Sequence, residues 1–442
     1  MHSISTRRAG WVLASSLLMS TPLTSMSTML TSTALAQAAP HAVTGPTSYA
    51  DFLERVGQSN VDLLASRAGV AQADARINIA RVFPSPRLSG GVSTVDISGN
   101  AAPTMTLLQI DVPVDLSDRI GHRTAFATAE ALAARADFDA QAWMLRADAG
   151  RAWIAALRAS LVLARTQRTL ATLERLVQVN QERLAAGSVG EVQLFQSRVE
   201  AERYRGRALQ ADAELRAVQM ALSQFIGSTT QESPITPTGA LDVAAHDFDA
   251  DALVEVALAQ RPDVHAVDLA RDAASRGREL ASANRMVDLV LSVNWQHAFP
   301  SIGTPFNTPD YDTLGVLASV ELPTRLLLRG ELDEADARID EQMLRAQSTR
   351  LQVDIEVRST LARYQAARDR LALYRGTILS DADHVLEAVL YTYERGGGSL
   401  LEVLLAQRTA DEVYLDYYDA LSEHAALLVD LERVTGQAQI TF

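Results

Sequence analysis

The 442-residue sequence contains no cysteine, and all 40 of its basic residues other than histidine are arginine. Without cysteine there is no disulfide, no thiolate zinc site, no iron–sulfur cluster and no thiol nucleophile. Without lysine there is no P-loop of the usual kind, no kinase lysine and no Schiff base. Aromatic residues make up only 5% of the chain. That is lean for a compact enzyme and suits long alanine-rich helices. The net charge of −14 argues against a nucleic-acid partner, which needs a basic face. Beyond the N-terminus no stretch reaches the roughly 18 apolar residues of a membrane-spanning helix. No G-x-S-x-G or H-E-x-x-H pattern occurs, and no histidines pair at i, i+4, so no catalytic site, cofactor site or metal site is expected.

Proline is distributed unevenly. The 14 prolines leave two blocks, 114–233 and 324–442, without any. Proline breaks helix interiors, so two blocks rich in Ala, Leu, Arg, Glu and Gln predict long helices. The blocks are of nearly equal length, and local strings repeat between them. Ser188–Gln196 matches Ser399–Gln407, Ile110–Pro113 matches Val320–Pro323, and Gly227 matches Gly436. Offsets of 209–211 mark one domain-sized unit used twice.

Each unit has the same expected order. Repeat 1 is 49–228, with a first helix over Tyr49–Val82, a β-hairpin at about 88–114, a long helix over about 116–184, a tip at about 185–190 and a returning helix. Repeat 2 is 250–437, with a first helix over Ala250–Arg285, a hairpin at about 287–322, a long helix over about 327–394, a tip at about 395–400 and a returning helix. Linkers fall at 37–48 and 229–249, with a tail at 438–442. A helix of this length runs about 100 Å, too long for a globular domain, and requires a coiled coil or an elongated bundle. In the hairpins, Leu289, Leu291, Val293 and Trp295 alternate with Val290, Ser292, Asn294 and Gln296. Leu108, Ile110, Val112 and Val114 alternate with Leu107, Gln109 and Asp111. Ten-residue strands with one apolar and one polar face have the pattern of transmembrane barrel strands, although a half-buried hairpin on a soluble domain gives the same alternation. Four strands cannot close a hollow barrel, so the barrel reading requires several protomers around one wall.

At the N-terminus, Arg7 and Arg8 precede an apolar run from Trp11 to Met19 and end in Ala34-Leu35-Ala36. This is the order of a cleaved secretory signal, expected over 1–36.

Helix, hairpin, long helix, tip and helix, written twice after a signal sequence, resemble the TolC-type outer-membrane efflux channels. The tip strings Arg183–Val192 and Tyr393–Val403 and the helix ending Leu431–Gly436 are similar to that family's motifs. The stretch from Leu371 to Arg408 resembles most its heavy-metal (cobalt–zinc–cadmium) branch. The resemblance implies a mainly α fold with transmembrane β. In a homotrimer, three protomers of four strands would share a 12-stranded barrel above a long helical tunnel. It implies export of substrate, metal cations in that branch, with a periplasmic adaptor (membrane fusion protein) and an inner-membrane transporter of the resistance–nodulation–division class. The chain would be embedded in outer-membrane lipid without an N-terminal lipid anchor, since there is no cysteine to carry one. Relatives exporting organic compounds share the architecture. A periplasmic coiled-coil scaffold is the competing reading, weakened by the duplicated strands.

The resemblance also implies site residues. Gly187, Ser188 and Val189, with Gly397, Gly398, Ser399 and Leu400, would form the tips that meet the adaptor. Glu402 would face the lumen beside the second tip, where a second family acidic position is Leu405 here. Glu412, Asp416, Asp419 and Glu423 share its side of the helix and would extend a negative lumen that attracts cations. The opposite side carries Val413, Tyr417, Leu421, His424, Leu428 and Leu431 at coiled-coil spacing. Trp295, with Phe299, Phe306 and Tyr311, would form an interfacial aromatic girdle if the strands build a barrel, and loop packing otherwise.

Overall fold

The computed structural model describes residues 46–94, 104–227, 235–299, 310–321 and 329–438. The expected signal sequence, Phe306 and residues 439–442 of the tail lie outside them. Each half of the chain opens with a pair of helices: α1 (Tyr49–Ser59) and α2 (Val61–Ala80), then α5 (Ala250–Gln260) and α6 (Pro262–Ala283). Two hairpins follow these pairs, β2 (Arg87–Thr94) with β3 (Thr104–Val114), and β5 (Asp288–Ala298) with β6 (Tyr311–Glu321). The long helix α3 (Arg119–Ala185) returns through α4 (Glu191–Phe225). Its counterpart is α7 (Gly330–Leu373), a π-helical turn at Tyr374–Ile378 and α8 (Leu379–Glu394), which return through α9 (Leu400–Thr435). The 67 residues of α3 run about 100 Å. Among the described residues no helix is long and apolar enough to cross a membrane.

Three expected helices are interrupted. The first helix of repeat 1 breaks at Asn60, whose side-chain oxygen caps α2 at Leu63 N (3.0 Å) while its amide donates to Phe225 O (3.0 Å). In repeat 2 the break falls at Arg261, because Pro262 has no N–H to continue α5 and sits at the first turn of α6. The long helix of repeat 2 is one run only to Leu373, where the π turn inserts.

The duplication is visible in the packing. Gly227 and Gly436 both adopt positive φ (64° and 77°) just past α4 and α9. Each lies against the break in its own repeat's first helix pair. A Cβ at Gly227 would stand 2.7 Å from Ser59 O, and one at Gly436 2.9 Å from Gln260 C. Only glycine fits both the conformation and the approach.

Three apolar clusters hold the bundle. Phe52 stacks on Trp153 (ring centroids 5.1 Å apart) in a core with Val56, Leu157, Leu222 and Val429. Val353, Val357 and Tyr364 of α7 pack on Leu428 and Leu431 of α9. Near the tips, Leu173, Leu176, Tyr204, Tyr393, Leu400 and Val403 join both helical hairpins. A two-residue parallel pair, β1 (Pro46–Thr47) with β4 (Thr236–Pro237), ties the start of the described chain to the inter-repeat linker.

Candidate functional site: the sheet, the tips and the last helix

The four long strands form one antiparallel sheet in the order β2-β3-β5-β6. The register aligns apolar rows across it. Leu88, Ile110, Val293 and Val316 form one, and Gly90, Leu108, Trp295 and Leu314 the next. The other face carries Ser89, Gln109, Asn294 and Gly315, then Arg87, Asp111, Ser292 and Leu317. Its polar groups bond to each other: Ser292 Oγ and Gln109 Nε2 both donate to Asp111 Oδ1 at 2.6 Å.

Exposure is the reverse of what water selects. Ser292 is 2% exposed between Leu291 at 43% and Val293 at 48%. Val316 is 78% exposed and Trp295 41%. A soluble sheet buries its apolar face and wets the polar one. Here, on the central strands β3 and β5, the polar positions are the shielded ones and the apolar positions are open, which is how strands are arranged when hydrocarbon lies outside, while β2 and most of β6 are exposed on both faces. Among the described residues the end strands β2 and β6 each have one long unpaired edge, which barrels remove by closure.

At the other end are the two tips. Gly187 (φ 72°), Gly396 (φ 89°) and Gly398 (φ 74°) turn the chain through the left-handed region. Ser399 caps α9: its Oγ accepts from Glu402 N (3.3 Å), and Glu402 Oε2 accepts from Ser399 N (3.1 Å). The tips are fastened to each other. Arg183 donates to Tyr393 O (3.1 Å), and Tyr393 OH donates to Asn180 Oδ1 (2.6 Å). Gly187, Ser188, Gly397, Gly398 and Ser399 are exposed and Val189 half-buried. Leu400 differs. It is 4% exposed and packs inward on Leu173 and Val403, so its side chain holds the tip together and offers no outer surface.

The acidic stripe on α9 is not a row of bare carboxylates. Glu402 completes the cap. Glu412 pairs with Arg408 (3.0 Å) and Glu423 with Arg370 of α7 (3.0 Å). Asp419 is held by Arg158 of α3, and Asp416 lies in the field of Arg370. Helix α9 has neighbours on several sides, so residues on its expected open face reach cations on α3 and α7. The opposite seam is buried at Leu421, His424, Leu428 and Leu431, with Val413 and Tyr417 half-buried.

Sequence matching assigns residues 52–228 and 253–437 to the family described as outer membrane efflux protein. The chain belongs to this family. It is an outer-membrane efflux channel, a transport protein and not an enzyme. It is 25% identical to the cobalt-zinc-cadmium resistance protein CzcC of Cupriavidus metallidurans, over 92% of this chain and 94% of that one. Its fold matches solved structures of CusC, described with transmembrane channel formation (TM-score 0.71, 18% identity, 88% and 92% of the two chains). It also matches the outer membrane protein VceC of Vibrio cholerae (TM-score 0.69, 19% identity, 88% and 96%).

The channel also holds a polar site that sequence reasoning missed. Asp411 is buried where α3, α4 and α9 meet. Its Oδ1 accepts from Arg165 Nε (2.8 Å), Thr169 Oγ1 (2.8 Å) and Gln407 Nε2 (3.2 Å), and its Oδ2 from Tyr204 OH (2.9 Å). Arg165 in turn lies over the Tyr414 ring (3.9 Å), and Tyr414 OH donates to Asp383 of α8 (2.6 Å). The one signal in the sequence is the Gln407–Asp411 spacing of one helical turn, which is too common to single out. Among the described residues no group of three or more His, Asp or Glu is placed to hold a metal ion.

Proposed function

We propose that the channel works as a homotrimer in which three four-stranded sheets close one 12-stranded barrel. In this reading it exports heavy-metal cations with a periplasmic adaptor and an inner-membrane transporter of the resistance–nodulation–division class. The observation that carries the trimer is the inverted sheet with two open edges. Its apolar face needs lipid, and its edges need strands that one protomer does not have. The polar face then lines the pore and Trp295 stands on the lipid side. The metal substrate is supported by the likeness to a cobalt-zinc-cadmium resistance protein and by the acidic composition. Gly187, Ser188, Val189, Gly397, Gly398 and Ser399 form the adaptor-facing tips. Glu402, Glu412, Asp416, Asp419 and Glu423 contribute to the inner wall, and the arginines paired with Glu412, Asp419 and Glu423 moderate the field. The N-terminal 36 residues act as the export signal, and the barrel anchors the chain in the outer membrane.

Two experiments test this. Outer membranes are extracted with detergent, and unboiled samples are run beside boiled ones. A band near three times the protomer mass that collapses on boiling is expected, and a soluble monomer would leave only a scaffold. A deletion strain is then scored for growth in cobalt, zinc and cadmium and in dyes or detergents. Loss of metal tolerance, restored by the gene, is expected. Sensitivity to organic compounds with unchanged metal tolerance would assign the other substrate class.

A further inference from the structure

His424 lies in the middle of α9 with its side chain fully buried, and among the described residues neither ring nitrogen has a hydrogen-bond partner. Its ring lies 5.3 Å from that of Tyr364 on α7. Around it, α7 and the π turn contribute Tyr364, Arg368 and Arg375, and the inter-repeat linker contributes Asp242 and His246. On its own helix, Glu423 is exposed and bonded to Arg370.

The same residues fasten the linker over α9. Asp242 bonds to Arg375 and Asp247 to Arg368. His246 N donates to Tyr364 OH (2.8 Å), and that hydroxyl donates to His246 O (3.0 Å). Beneath this strap is a cavity of about 330 Å³, lined by Val243, His246 and Phe248 of the strap and by Leu428, Leu431 and Glu432 of α9. Apolar packing alone would be served by Leu or Phe at position 424. With neither ring nitrogen hydrogen-bonded, what imidazole adds over those side chains is a group that can take a proton.

We propose that His424 and residues 241–248 form an acid-sensitive strap, in which protonation of the buried imidazole loosens the inter-repeat linker from α7. A buried imidazolium needs acceptors or water. Here it would gain a charge beside two guanidiniums, with the nearby Asp242 already bonded to Arg375. Opening the strap admits water to the ring and frees Asp242 for it. Burial, reinforced by Arg375 and Arg368, holds the His424 pKa below the ordinary imidazole value. Stability present above about pH 6.5 is therefore lost as pH falls toward the lowered folded-state value. The device lies in the helical body and does not depend on which substrate is exported.

The test is hydrogen exchange of the full chain in detergent at pH 7.5 and 5.0, corrected for intrinsic exchange and read on peptides covering 241–248. The heat-modifiable band is followed in parallel, so that dissociation of the assembly is recognised. Protection of the strap is expected to fall by about tenfold or more at pH 5.0, as one coupled proton gives about tenfold per pH unit. In His424→Phe, with His424→Leu as the second choice, protection is expected to stay flat. In His246→Gln it is expected to fall as in the wild type. Wild-type protection that does not change with pH would overturn the proposal. So would an undiminished response in the His424 variants, or its disappearance in His246→Gln.

Discussion

At Asp411 a single carboxylate accepts from four side chains on three helices. Removing it leaves a largely buried guanidinium, Arg165, without its counter-charge. Asp411→Ala should destabilise the helical body by about 3–5 kcal/mol, the usual cost of breaking a buried pair. Denaturant unfolding in detergent would measure this, and an unchanged midpoint would show that the pairing contributes nothing. Asp263 gives a second expectation. Burial raises its pKa, but the hydrogen bonds and charge of Arg261 outweigh that and hold it below the usual carboxylate range. A carboxylate lowered in this way stabilises the fold above about pH 4 and loses that contribution as pH falls through its folded-state value. The acid limb of a stability–pH curve should therefore flatten in Asp263→Asn. Neither residue stands out in the sequence. Helical spacing shows which face a residue occupies but not which helix will lie against that face, so the partners Arg165 and Tyr204 had no signal.

Among the elements, the tips and strands were the most legible. Alternation marked 288–297, and β5 is Asp288–Ala298; the turn-and-return string marked α9, which starts at Leu400. The helix breaks at Asn60 and the π turn were not legible, because each depends on a contact or insertion that periodicity does not register. At the second tip, Gly398 has φ 74°, and an added Cβ would stand 3.1 Å from Glu402 Oε2, inside the capping box. Gly398→Ala should cost about 1–2 kcal/mol locally and raise exchange at Ser399–Val403. Exchange equal to wild type at those amides would show that the turn absorbs the side chain. On the sheet, the two faces should respond oppositely to one substitution. Val293→Arg on the apolar face is expected to cost about 2–4 kcal/mol and to lower the folded barrel recovered from outer membranes. Asn294→Arg, on the polar face beside it, should be recovered at close to the wild-type level. Equal losses at both positions would contradict a lipid-facing apolar side.

For the whole molecule, the decisive relation is between the two repeats. Strand β3 of the first pairs with β5 of the second, so the halves share one sheet, while α9 packs on α3 and α7 and joins them again below. Neither half has a complete core alone. Cutting the inter-repeat linker at about 238–241 should leave both fragments associated if the strap and the shared sheet hold. Separate expression of 49–228 should give an unfolded or aggregated chain, read by circular dichroism and size-exclusion chromatography. A soluble, folded first repeat would contradict this.

Most elements and their duplication are legible along the chain, the helix interruptions excepted. Proline-free blocks, alternating strands and repeated glycine turns are local constraints on backbone geometry, and local geometry is written residue by residue. What each face meets is settled by packing. It turned Leu400 inward, gave the carboxylates of α9 arginine partners, buried Asp411 and His424, and exposed the apolar side of the sheet. Those outcomes depend on which helices and strands come to lie side by side, over separations of up to several hundred residues, and spacing along one helix carries no record of its neighbours.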